Sequence, residues 1–243
     1  MNRILFESGE VAADGRVSVR DGRARHIREV LRATPGARLR VGVLDGPCGS
    51  ALVEQADGDA VTLRCAWEPE KAGNGGALEL ILALPRPKVL KRLWAPLASF
   101  GLSRLTLVNA ARVERNYFDT HWIEPAHYRP LLIEGLQQAG LTRIPEVRVV
   151  RQFRPFVEDE CGAPGPGEIR LTGHPAAAER LSAGPWPHAA RVVLAIGPEG
   201  GWTPFELDLL AVQGFRAVNF GARILRSDVA CIAALALMLD RMG

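Results

Sequence analysis

Short continuous apolar runs, each followed by helical periodicity, recur after residue 77 and constrain the fold of this 243-residue chain more than any other feature. "LELILALP" (78–85) is apolar almost throughout, as a strand buried on both faces requires. "KVLKRLWAPLASFG" follows it, with Leu90, Leu93, Trp94 and Leu97 at helical spacing and Pro96 expected to kink the helix. "LTLVNA" (105–110) predicts the next strand and "HYRPLLIEGLQQAG" a helix ending at Gly140. "EIRLTGHP", "RVVLAIGPEGG" and "RAVNFGARIL" predict three more strands. The helices "TPFELDLLAVQG" and "SDVACIAALALMLDRM" follow the last two. Repeated β-α-β units of this kind argue for an α/β domain with a mostly parallel sheet. The proline- and glycine-rich stretch 151–167 is expected to be an irregular surface excursion.

Residues 1–70 have a different pattern. "RVSVR", "ARLRVGVLDG", "SALVEQ" and "AVTLRCAW" predict short strands separated by turn signals. One helix, "ARHIREVLRAT", is expected to place Ile27, Val30 and Leu31 on one face. Strands closing around one helix suggest a small β-barrel. "EPEKAGNGG" has no periodicity, which sets a linker at 71–76 between a domain at 1–70 and another at 77–243.

Two glycine turns end predicted strands. In "AIGPEGGWTPFEL", Thr203 is placed as an N-cap, Pro204 as the first helical residue and Glu206 as its capping-box partner. The glycines therefore occupy a strand-to-helix turn at the carboxyl end of a sheet, where open α/β sheets bind ligands. The turn lacks the lysine of a phosphate-binding loop and the spacing of a dinucleotide fingerprint, and Glu199 would repel a pyrophosphate. A cationic or neutral polar ligand suits it better; a turn with glycines for geometry alone is the structural alternative. In "NFGARILRSDVA", Gly221 permits a second turn flanked by Arg223 and Arg226, with Ser227 or Asp228 able to cap the last helix. "LTGHP" is a third strand end, in which His174 is a weak signal.

Several classes find no support. Cys48, Cys65, Cys161 and Cys231 form no C-x-x-C pair, and the five histidines show no ligand spacing, so no metal is expected. The cysteines are expected to be reduced and buried. No Ser-His-Asp set or carboxylate pair is evident. Arg3, Glu7 and Glu10 interrupt any leader-like run, and "VACIAALALMLDRM" is short for a membrane span, so a cytoplasmic protein is expected. Net charge is only +3, yet eight arginines lie between Arg16 and Arg40 against Asp21 and Glu29. That patch points to a polyanionic partner, or to a solvated arginine-rich surface.

"IGPEGGWTPFEL" followed by "FGARILRSDVA" resembles the paired signature of the RsmE family, which methylates N3 of a uridine, position 1498, in 16S rRNA. "RHIREVLRATPGARLRVGVLDG", "VERNYF" and "QQAGLTRIPEV" resemble further family segments in the right order, so the likeness covers nearly the whole chain. The departures are Pro96 and Ser99 in "KRLWAPLASFG", Leu141 where an arginine is usual, and Asp228 and Val229 for a glutamate and a threonine.

The resemblance implies a SPOUT-type mostly parallel sheet with a C-terminal trefoil knot, preceded by a PUA-like β-barrel, in a homodimer acting on the small ribosomal subunit. It implies S-adenosylmethionine, held by Leu171, Thr172 and Gly173, by Ile196, Gly197, Pro198, Glu199, Gly200 and Gly201, and by Phe220, Gly221, Ile224, Leu225 and Arg226. Arg226 is the candidate to stabilise a uracil anion; Glu199 accepts the proton, touches the cofactor or pins the turn. RNA contacts are expected from Arg23, Arg25, His26, Arg28, Arg32, Arg115 and Arg143. Rival readings are a SPOUT methyltransferase for another rRNA or tRNA site, and a non-catalytic RNA-binding or assembly factor.

Overall fold

The computed structural model describes residues 3–69, 78–184 and 191–242; the expected linker at 71–76 and His188 lie outside the described residues. The chain forms two compact units, Met1–Gly75 with Ile133–Ile144, and Gly76–Leu132 with Pro145–Gly243.

The first unit holds a five-stranded sheet of β1 (Ile4–Phe6), β2 (Arg16–Val19), β3 (Arg38–Val43), β4 (Cys48–Gln55) and β5 (Val61–Trp67), in the order β1-β3-β4-β5-β2. Only the β1–β3 pair is parallel. Alternation sends Val17 and Val19, Ala51 and Val53, and Val61 and Leu63 into one core with Ile4, Phe6 and Val41. The helix α1 (Gly22–Arg25) runs into a π-turn, His26–Val30, and adds Ala24 and Ile27 to that core. The wider π-turn shifts the face expected from a regular helix, so Val30 is 66% exposed instead of packed beside Ile27. The sequence reading also passed over β1, which is only three residues long. The segment 133–144 joins this unit through Arg3, whose backbone N–H donates to Gln137 O (2.9 Å) and whose guanidinium donates to Gly140 O and Val41 O. Asp45 completes the join by accepting from Ile144 N at 2.8 Å.

Arg23 is the electrostatic centre of the unit. It donates to both carboxylate oxygens of Glu10 (2.5 and 2.8 Å), to Asp21 (2.7 Å) and to Leu5 O, and lies over the Phe6 ring. These hydrogen bonds hold the Glu10 and Asp21 carboxyls below their usual range. An arginine so engaged is occupied by its own fold.

The second unit holds six parallel strands: β6 (Leu78–Ala83), β7 (Arg104–Val108), β8 (Glu146–Val150), β9 (Glu168–Gly173), β10 (Arg191–Ile196) and β11 (Arg216–Val218). Their order is β11-β9-β10-β6-β7-β8, all neighbours parallel. The connecting helices are α2 (Pro87–Ser99), α3 (Pro125–Ala139, which from Ile133 on belongs to the first unit), the short α4 (Phe153–Pro155), α5 (Pro204–Val212) and α6 (Ser227–Met242). Pro96 does not interrupt α2: it falls in the last turn, so few backbone bonds lie beyond the missing donor. The terminal helix α6 returns to pack on α2 and β10.

Two expectations change here. The excursion at 151–167 begins by packing inward, with Phe153, Phe156 and Val157 buried. The sheet is also not apolar on both faces throughout. Leu78, Leu80 and Leu82 alternate with Glu79, which pairs with Arg191 at 2.7 Å and Arg104 at 3.6 Å. Beside them the buried Arg170 bonds Glu168 at 2.5 Å and the carbonyls of Cys161, Gly162 and Gln213. Nearly every donor of that guanidinium is used, which a buried ion pair needs to offset its desolvation.

The carboxyl pKa values lowered by Arg23 give a pH signature. A depressed folded-state pKa contributes stability above the unfolded value, and that contribution disappears as pH falls through the folded value. The stability difference between wild type and Arg23→Ala should be full above about pH 4.5 and narrow below about pH 4. Urea unfolding at stepped pH checks this; a pH-independent difference would remove the Glu10 and Asp21 pairing as its source.

Candidate functional site

The carboxyl ends of β6, β7, β9, β10 and β11 carry the loops that build the site. The strongest local determinant is the start of α5. Thr203 Oγ1 accepts from Glu206 N, and Glu206 Oε2 accepts from both Thr203 N and Thr203 Oγ1 at 2.8 Å, so the predicted capping box forms. Glu206 is only 3% exposed, and its second oxygen accepts from Ala111 N at 2.7 Å. The helix cap thereby holds the loop that follows β7.

That loop delivers Arg112, whose guanidinium donates to Gly200 O. A Cβ on Gly200 would lie 3.0 Å from Arg112 Cδ, and one on Gly197 would lie 3.1 Å from the Trp202 indole. The space left by these glycines is thus filled by the protein's own Arg112 and Trp202, where the sequence suggested close approach of a ligand. Trp202 is buried against Phe153, ring centroids 5.2 Å apart, and its Nε1 has no hydrogen-bond partner among the described residues.

A cavity of about 350 Å³ opens between these loops. Of the residues expected to hold the cofactor, Gly173, the whole turn from Ile196 to Gly201, Phe220, Gly221, Ile224 and Leu225 line it. Three proposed residues do not. Leu171 and Thr172 are buried within β9, and Arg226 is exposed, its carbonyl accepting from Ala230 N in the first turn of α6. Sequence reasoning missed Arg112, Trp202, Pro175, Ala176, Ser227 and Ala230 as lining, undervalued His174 and treated Arg223 only as a flank. The tryptophan adjoining the glycine turn was the one available signal; Arg112 comes from a distant loop with no motif of its own.

Glu199 is the only carboxylate lining this cavity among the described residues. It is 44% exposed and sits 3.3 Å from Arg86. Apolar walls, backbone groups and one carboxylate, with Arg112, Arg223 and His174 also on the lining, suit a flat ligand that carries both charges. No group of His, Cys, Asp and Glu among the described residues is arranged to hold a metal. Burial pushes the Cys65 and Cys161 thiols up to about 11 and Cys231 up to about 12, so they stay protonated near neutrality. Cys231 alone is fully buried; the other three are partly exposed, against expectation.

Of the expected RNA contacts, Arg25, Arg32, Arg115 and Arg143 are exposed, His26 and Arg28 are partly exposed, and Arg23 is engaged in its internal pairs. No helix among the described residues is long and apolar enough to cross a membrane.

The family model described as an RNA methyltransferase domain matches residues 74–239. The ribosomal RNA small subunit methyltransferase E of Treponema pallidum (strain Nichols) is 33% identical over 98% of this chain and 91% of that protein. The protein of that name from Synechocystis is 28% identical over 96% of this chain and 75% of its own length. Among solved structures, the ribosomal RNA small subunit methyltransferase E of Neisseria gonorrhoeae bound to S-adenosyl methionine superposes with a TM-score of 0.75 at 22% identity, covering 98% and 97% of the two chains. A putative methyltransferase of Legionella pneumophila, in complex with the same cofactor, gives 0.76 at 23% identity, covering 99% and 98%. These two structures share the fold.

Glu206→Ala should cost about 2 to 3 kcal/mol, because it leaves buried N–H groups of two loops without an acceptor. Denaturant unfolding measures the loss. A cost below about 0.5 kcal/mol would mean that the loops are held without it.

Proposed function

Because the chain belongs to the ribosomal RNA small subunit methyltransferase E family, we propose that it methylates N3 of a uridine in 16S rRNA, on the small ribosomal subunit, using S-adenosylmethionine. The observation that carries this reading is the cavity whose glycine turn presents a carboxylate where a phosphate site would present a lysine. The residues present fit the cofactor. Glu199 complements its positive charge, Arg223 can meet its carboxylate, and Ile196, Phe220 and Leu225 supply apolar surface for its adenosine. The unpartnered Trp202 Nε1 offers a further donor at the wall.

The bound cofactor supplies a methyl carbon made electrophilic by its sulfonium. The protein must orient the acceptor and remove the N3 proton of the uracil. We assign that proton to Glu199, which borders the cavity and stays in touch with solvent. Arg226, outside the cavity lining, is not retained as the anion-stabilising group.

Residues 1–70 are read as the RNA-binding, PUA-like domain, with Arg25, His26, Arg28 and Arg32 towards phosphates, and Arg115 and Arg143 as further contacts. Residues 77–243 are read as the SPOUT catalytic domain, with the return of α6 as its knotted segment. The outer face of α6 carries Val229, Ile232, Ala236 and Leu239 beside a buried face of Ala230, Ala234, Leu235 and Met238. A second copy of the chain would cover that apolar face, which gives the homodimer. The ribosomal substrate places the protein in the cytoplasm.

Incubating the protein with S-adenosylmethionine and small subunits from a strain lacking this activity should yield N3-methyluridine on nucleoside analysis. Failure to bind the cofactor in a titration would favour the non-catalytic reading. Glu199→Gln should lower the single-turnover rate by about 10²-fold or more; an unchanged rate removes the base role.

RNA binding offers a second test. In the triple variant Arg25→Ala, Arg28→Ala, Arg32→Ala, the log-log salt slope should fall by roughly 0.7 to 0.9 for each phosphate that is no longer neutralised. A slope equal to that of wild type would make the patch a solvated surface only.

A further inference from the structure

A second cavity, of about 230 Å³, lies against the first and is left unused by the proposed cofactor. Three loops form it: Leu84, Pro85 and Arg86 after β6, Arg112, Val113, Glu114 and Tyr117 after β7, and Pro198 to Gly200 after β10. Arg112, Pro198, Glu199 and Gly200 border both cavities, so the glycine turn is a shared wall. The volume equals that of about seven or eight waters, enough for one pyrimidine ring and too small for a base pair. A base could enter it only after leaving its stack.

Charged groups gather at and beside the shared wall. Glu199 is an acceptor. Arg86 stands beside it, 3.3 Å away, and Arg112 is held at the neighbouring Gly200. Both arginines are permanent donors. The cavity therefore sets two donors close to the Glu199 acceptor, with Glu114 as a second carboxylate on its lining. Uracil presents the complement along its N3 edge: the O2 acceptor, the N3–H donor and the O4 acceptor. Cytosine lacks the N3–H and has an amino donor in place of O4, so it would oppose Glu199 with an acceptor and an arginine with a donor. Leu84, Pro85 and Val113 provide an apolar floor and Tyr117 an aromatic wall.

We propose that this second cavity receives the target uracil, flipped out of its RNA, and that Arg86, Glu199 and Arg112 read its N3 edge. The proposal rests on the methyl-transfer reading above and adds the substrate pocket to it. The N3 proton passes to the Glu199 carboxylate, while the two arginines stabilise the negative charge that spreads to O2 and O4. The N3 electron pair then forms the bond to the methyl carbon. The carbon–sulfur bond breaks with its pair going to sulfur, which becomes a neutral thioether. The exposed edge of Glu199 returns the proton to solvent. Arg86 is 64% exposed, so its pair with Glu199 can be exchanged for the base at little cost.

Arg86→Ala tests the assignment with little risk to folding, since the side chain is at the surface. Its single-turnover methylation of small subunits should fall about 10²-fold while its affinity for S-adenosylmethionine stays within about threefold. Arg86→Lys should recover part of the rate. An oligoribonucleotide carrying a single 5-iodouridine, irradiated with the enzyme and S-adenosylhomocysteine, should cross-link to Tyr117, and a 5-iodocytidine probe should do so far less. An unchanged rate in Arg86→Ala, parallel loss of cofactor affinity, no cross-link, a cross-link outside the cavity or equal capture of both probes would each overturn the pocket. If wild-type protein cross-links uridine at Tyr117 but transfers no methyl group, the activity fails and the pocket stands.

Discussion

Glu206 accepts hydrogen bonds from Thr203 beside it and from Ala111, 95 residues before it, and the geometry of the site follows from that sharing. One oxygen closes the cap of α5 and so sets the direction in which the chain leaves the glycine turn. The other holds Ala111, which aims Arg112 at Gly200. A carboxylate this deeply buried would be costly alone, and its three donors offset its desolvation. The cap residue is therefore also the tie between the loops after β7 and β10. Gly197 and Gly200 are required by the same arrangement, because Trp202 and Arg112 fill the space a side chain would need.

With the turn fixed from behind by Glu206, Glu199 is left free to face ligands. Its partner Arg86 is exposed, and exposed pairs of this kind contribute at most about 1 kcal/mol. Such a pair stores little energy and is easily exchanged. Arg170 and Glu168 contrast with it: that pair is buried and multiply bonded, and has the character of architecture. Burial and partner count separate the two kinds of ion pair where residue type does not.

The sequence disclosed what depends on short-range pattern. The alternation of apolar strands and helices predicted the parallel sheet, and "TPFE" predicted the cap that forms. The glycine turn located the cavity. Features that depend on long-range pairing were hidden. The three-residue β1 acquires its meaning only beside β3, and β8 only beside β7. Phe153 and Phe156 sit in a stretch whose prolines and glycines concealed an inward-facing turn. Arg86 and Arg112 carry no motif; each reaches the site because parallel strands align their carboxyl ends. Arg226, close to Gly221 in sequence, lies outside the cavity lining.

The basic patch shows the same limit in electrostatic terms. Counting charges from Arg16 to Arg40 treats all eight arginines alike, yet Arg23 is occupied by Glu10 and Asp21, and Arg16 by Asp14 and Glu54. What remains for a polyanion is the exposed subset that includes Arg25 and Arg32. Contacts of that kind bind any phosphate backbone and cannot choose a base. On the proposed reading, choice of the target must therefore arise where polar groups meet a base edge. Arg86, Glu199 and Arg112 supply such an edge in the second cavity, and Glu199 and Arg112 also border the proposed cofactor cavity. Recognition and chemistry then share one carboxylate, so a base that cannot give Glu199 a proton is poorly bound and also cannot react.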